Sequence, residues 1–124
     1  MSTRPSILIA ENKQFLVDVI REAFRQEDYG CICVQTEKEV FEMMGKADAA
    51  VVGLDVCSGD QERRIDMVRS LRESFDTPLM ALTSVQYSSV RIALLKSGAD
   101  DVMTKPFNPD ELVVRVGKLL ARHK

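Results

Sequence analysis

Short apolar runs alternate with amphipathic stretches along nearly the whole chain. Ser6-Ile-Leu-Ile-Ala10 is apolar without alternation and stops at acidic and polar residues, the pattern of a strand covered on both faces. Phe15, Leu16, Val19, Ile20, Ala23 and Phe24 then recur at helical spacing, and Gly30 closes that segment. Cys31-Ile-Cys-Val34 predicts a second strand. Thr36-Glu-Lys-Glu39 is a capping box, in which hydroxyl and carboxylate satisfy amides that the first helical turn leaves free, and Val40, Phe41 and Met44 continue the helix. Ala49 to Leu54 is a third apolar run with Asp55 at its end. Val56 to Gln61 is loop-like, and Ile65, Val68, Leu71 and Phe75 keep helical spacing up to the Asp76-Thr77-Pro78 break. Leu79-Met-Ala-Leu-Thr83 is a fourth strand, Val90, Ala93 and Leu94 mark a helix ending near Gly98, and Val102-Met103 lies in a short fifth strand. Asn108-Pro-Asp-Glu111 combines a cap residue, a proline at the first helical position and a Glu at the third. The last helix buries Leu112, Val113, Val116, Leu119 and Leu120.

Strands that alternate with helices pair in parallel through right-handed crossovers, with helices on both faces. The predicted class is therefore α/β: a five-stranded parallel sheet, doubly wound, with flavodoxin-like (βα)5 topology. In that architecture function collects outside the carboxyl ends of the strands, where strand order reverses. The residues just past the strands are Glu11 and Asn12, Asp55, Thr83 and Ser84, and Lys105 and Pro106. Each has an ordinary structural explanation: Asp55 as a turn cap, Thr83 as a strand-end hydroxyl, Lys105 as a solvated charge. Gathered at one edge, they are what a divalent cation and a phosphoryl group require. Mg²⁺ takes hard oxygen ligands, a lysine supplies a point charge for phosphate oxygens, and phosphoryl transfer asks mainly for in-line positioning and charge stabilisation.

Composition narrows this further. A chain of 124 residues fits one domain, 1–124, with an ordered core over about 6–122. Net charge is −2 and Lys and Arg are scattered, which argues against direct binding to nucleic acid or an anionic membrane. The start, Met1 to Pro5, is polar and the run Ile7 to Ala10 is too short for a signal or a membrane span, so a cytoplasmic location is expected. Cys31, Cys33 and Cys57 are an odd count without an export signal and read as thiols, Cys31 and Cys33 as buried strand cysteines. Cys31-Ile-Cys33 offers half of a metal site, but no second pair follows, and the only histidine, His123, lies at the C-terminal end.

Nearly the whole chain resembles the receiver domains of bacterial two-component response regulators and is chemotaxis-receiver-like. The resemblance rests on the Glu11-Asn12 position after Ile7-Leu-Ile-Ala10, Asp55 ending Ala50-Val-Val-Gly-Leu54, Thr77-Pro-Leu-Met-Ala-Leu-Thr-Ser84, and Gly98-Ala-Asp-Asp-Val-Met-Thr-Lys-Pro-Phe107. The intervals also agree: 43 residues from Asn12 to Asp55, 28 on to Thr83 and 22 on to Lys105. It implies Asp55 as phosphoacceptor, Glu11, Asn12, Asp55 and the backbone carbonyl of Cys57 around Mg²⁺, Thr83 and Lys105 on the phosphoryl oxygens, and a cis Lys105-Pro106 peptide. It further implies a switch through Thr83, Ser84 and position 102, a sensor histidine kinase or phosphotransfer protein as donor, and an output domain or downstream protein on the fourth helix, fifth strand and fifth helix. A homodimer is a further partner it admits. Such a domain is a signalling element rather than an enzyme and at most catalyses its own phosphorylation and dephosphorylation.

The chain departs from the family pattern at three places. Receivers usually carry two aspartates where Glu11 and Asn12 stand, so one formal charge is missing. The loop Val56-Cys-Ser-Gly-Asp60 lacks the usual Met-Pro, and Val102 replaces the aromatic switch residue. These departures define an alternative, a degenerate pseudo-receiver that acts as a phosphorylation-independent interaction module. A nucleotide- or flavin-binding protein of the same topology needs a Gly-rich phosphate loop, and Glu11-Asn-Lys-Gln-Phe15 contains no glycine. Arg122-His-Lys124 ends the chain directly after the last helix, which fits a stand-alone receiver or one parted from an output domain.

Overall fold

The computed structural model describes residues 4–123, so Met1 to Thr3 of the polar start, and Lys124, lie outside the described residues. Ten elements alternate: β1 (Ser6–Ala10), α1 (Gln14–Gln26), β2 (Gly30–Val34), α2 (Glu37–Met43), β3 (Ala49–Gly53), α3 (Gln61–Ser74), β4 (Leu79–Thr83), α4 (Ser88–Ser97), β5 (Asp101–Thr104) and α5 (Pro109–His123). All strand pairs are parallel, in the order β2-β1-β3-β4-β5. The order reverses at β1 and β3, which sets the carboxyl ends of these two strands side by side.

Alternate side chains of each strand feed two cores. Ile7, Ile9, Val51, Met80 and Leu82 pack with α1 and α5 on one face, whereas Leu8, Ala10, Val52 and Ala81 pack with α2, α3 and α4 on the other. The continuous apolar runs of β1, β3 and β4 follow from this double covering. Local chemistry sets the helix starts. The Thr36 hydroxyl accepts from the Glu39 amide at 3.2 Å, while the Glu39 carboxylate accepts from the Gln35 amide at 3.1 Å. Asn108 Oδ1 accepts from the Asp110 amide at 2.8 Å, and Asp60 Oδ1 from the Arg63 amide at 2.9 Å.

The structure differs from the sequence reading in several places. Helix α1 is closed by Asp28, with φ of 64°, and by the Tyr29 amide donating to the Phe24 carbonyl at 3.1 Å, whereas Gly30 already belongs to β2. A short polar residue tolerates that left-handed position. Phe15 is 78% exposed although it continues the apolar stripe, and Val17 takes the core position instead. The third strand stops at Gly53, and Leu54–Val56 form a single 3-10 turn that carries Asp55.

The cysteines are thiols, but only Cys57 is buried; Cys31 is half-buried and Cys33 exposed, because β2 is an edge strand. Burial, with the neighbouring Cys33 in second place, pushes the Cys31 thiol up to about 11 from the ordinary 9.0. Since the thiolate is the nucleophile, alkylation of Cys31 by iodoacetamide, followed by peptide mass, should still be climbing at roughly pH 10, where an ordinary thiol has levelled off. The folded state holds this proton more tightly than the unfolded one, so stability contributed by the neutral thiol is lost as pH rises from the ordinary 9.0 to about 11.

Candidate functional site

The carboxyl edge of the sheet gathers the predicted residues around one ion-pair network. Glu11 follows β1 and is fully buried, so its charge needs partners. It has two: Lys105 Nζ lies 2.7 Å from Oε2, and the Asn12 amide donates to Oε1 at 3.1 Å. Gly53 makes room for this carboxylate, since a β-carbon there would overlap Glu11 Oε2 and stand 3.0 Å from the Ala10 carbonyl oxygen. Lys105 Nζ also reaches Asp55 Oδ2 at 3.2 Å and so bridges the two carboxylates. Lys105 is itself positioned by its amide, which donates to the Thr83 carbonyl at 2.8 Å, and it precedes a cis peptide to Pro106.

Asp55 is the more open of the two acids, with its side chain 25% exposed. Its other oxygen, Oδ1, pairs with Arg64 Nη1 at 3.1 Å, and the same guanidinium donates through Nε to the Cys57 carbonyl at 3.1 Å. The exposed Asn12 directs its side-chain amide to the Asp55 backbone carbonyl at 3.3 Å. Thr83, nearly buried at the end of β4, accepts from the Val85 amide at 3.1 Å, which leaves its hydroxyl hydrogen free to donate. Ser84 is exposed beside it, and Val102 is buried in the core between β5 and α4.

The family model described as the response regulator receiver domain matches residues 7–117. The chain belongs to the response regulator receiver family. Among curated receiver-containing proteins it is 32% identical to response regulator SaeR of Staphylococcus aureus over 119 residues, 95% of this chain and 51% of that protein. It is 31% identical to the transcriptional regulatory protein PmrA of Pectobacterium parmentieri over 118 residues, 95% of this chain and 53% of that protein. The chain thus spans about half the length of these relatives. Among solved structures, the receiver domain of Francisella response regulator 1452 superposes with a TM-score of 0.87 at 28% identity, covering 98% of this chain and all of that one. The receiver domain of TorR, the response regulator of the TMAO respiratory system, gives 0.85 at 28% identity, with 97% of this chain and 99% of that one covered.

A receiver domain is a signalling domain of two-component systems, and this one has its sheet order and acidic edge. Among the described residues, no helix is long and apolar enough to cross a membrane. The oxygens that the family resemblance assigns to Mg²⁺ are of the right chemical kind. Two of them, Asp55 Oδ1 and the Cys57 carbonyl, are held by Arg64. Among the described residues no three acidic, His or Cys side chains cluster as a ready metal site. With Arg64 holding these two oxygens, a divalent cation does not fit the site as it stands.

Arg64 is the site residue that sequence reasoning missed, because a charged residue on a helix reads as solvated. One signal was present: Arg63 and Arg64 lie in the first turn of a helix, where the macrodipole disfavours cations. Each has an anionic partner outside the helix, Glu37 for Arg63 at 2.9 Å and Asp55 for Arg64.

Proposed function

We propose that this receiver accepts a phosphoryl group on Asp55 from a sensor histidine kinase or phosphotransfer protein. The observation that carries this reading is a partly open carboxylate at the carboxyl edge, flanked by two cations, Lys105 at 3.2 Å and Arg64 at 3.1 Å. An Asp55 oxygen forms the new bond to phosphorus while the bond to the donor breaks and the leaving group keeps its electron pair. Charge gathers on the equatorial phosphoryl oxygens in such a transfer, and it must be neutralised at the site. Lys105 supplies one positive charge, and the free hydroxyl hydrogen of Thr83 supplies one donor.

The signal then passes to an output domain or downstream protein through α4, β5 and α5. Exposed Tyr87, Ile92 and Leu95 on the α4 segment give that surface apolar contact area. Val102 is short and packed into the core, so the switch in this chain centres on Thr83, Ser84 and the segment leading into α4. Exposure to acetyl phosphate and MgCl₂, followed by intact mass, tests the reading: wild type should gain one phosphoryl mass and Asp55→Asn none.

One observation favours a second reading, a phosphorylation-independent interaction module. Both Asp55 oxygens already have cationic partners, so the pocket is neutralised by the chain itself. No adduct on wild type, even with a kinase active on another receiver, would select this alternative.

A further inference from the structure

The formal charges around Asp55 cancel before any ion enters: Glu11 and Asp55 are matched by Lys105 and Arg64. Arg64 does more than balance charge. Its Nη1 and Nε address two different oxygens, Asp55 Oδ1 and the Cys57 carbonyl, each at 3.1 Å. Asp55 lies within the turn that follows β3 and Cys57 just after it, and both are residues that the family resemblance assigns to a divalent cation, which takes hard oxygen ligands. The side chain is only 26% exposed, so water screens the contact incompletely. For a cation to take these oxygens, the planar guanidinium fork must move.

We infer that Arg64 is a resident counter-ion that excludes divalent cations from the Asp55 site, and that metal enters only when its guanidinium swings away. The inference rests on the reading of Asp55 as the reactive carboxylate only in its significance for signalling; the competition itself is a property of the two shared oxygens. It also changes the expectation for the missing acid at Asn12, because the metal-binding deficit then has two sources, one charge absent and one added.

Calorimetric titration of the full chain with MgCl₂ tests this without any phosphoryl donor. Arg64→Gln should bind Mg²⁺ at least about tenfold more tightly than wild type, as expected when one positive charge a few ångströms from the ion is removed. Arg63→Gln removes the same charge one residue away, where the arginine pairs with Glu37, and should stay within about twofold of wild type. Arg64→Lys should fall between wild type and Arg64→Gln, and it carries the test alone should Arg64→Gln not fold. Unchanged or weaker Mg²⁺ binding in Arg64→Gln, or equal tightening in Arg63→Gln, would overturn the inference. A missing adduct at Asp55 would instead count against phosphoacceptance and leave these affinities as they are.

Discussion

Replacing Lys105 with methionine is expected to destabilise the fold by about 3 kcal/mol, the scale seen when one partner of a buried ion pair is removed. Glu11 is fully buried and, among the described residues, its only cationic partner is Lys105 Nζ at 2.7 Å, so the substitution strands a charge away from water. Asp55 suffers less, because it is partly exposed and keeps Arg64. For a domain of this size the loss lowers Tm by on the order of 10 °C, measurable by circular dichroism. The double variant Glu11→Gln with Lys105→Met removes both charges and should recover most of that loss. Equal melting of wild type and Lys105→Met would show that the pair does not hold the edge of the sheet together.

Gly53→Ala should cost roughly 1–3 kcal/mol, the usual penalty for inserting a methyl group into a packed site. The backbone at Gly53 has φ of −72°, which any residue adopts, so conformational freedom is not the reason for glycine. Space is the reason: the methyl would overlap Glu11 Oε2 and press on the Ala10 carbonyl oxygen at 3.0 Å. Glu11 would have to turn, loosening its bond to Lys105, so the variant should lose both stability and phosphoryl acceptance. Denaturant unfolding gives the first effect directly. A midpoint equal to that of wild type would mean that Glu11 has another place to go.

Much of this was legible in the sequence, for identifiable reasons. β4 was read with its exact limits, Leu79 to Thr83, because a buried parallel strand is a continuous apolar run bounded by Pro78 and polar residues. The capping residues Thr36 and Asn108 were readable because their hydrogen bonds are local and follow from spacing alone. The end of β3 was hidden: Leu54 and Val56 are apolar and buried, so the run gives no sign that the chain turns after Gly53. Phe15 misled because periodicity records which face a residue shares, and not whether a neighbour covers it there. Residues at the carboxyl edge could be named from their place after each strand. The pairing of Arg64 with Asp55 could not, since it depends on how α3 approaches a turn nine positions earlier.

The most direct measurement is the chemical position of the phosphoryl group. After exposure to a phosphoryl donor, borohydride reduces an aspartyl phosphate to homoserine, and trypsin releases the segment 47–63, in which Asp48 and Asp60 accompany Asp55. Fragmentation of that peptide should place homoserine at position 55 and leave Asp48 and Asp60 intact. Homoserine at another position, or none when a receiver treated in parallel is converted, would contradict the assignment of Asp55 as the phosphoacceptor.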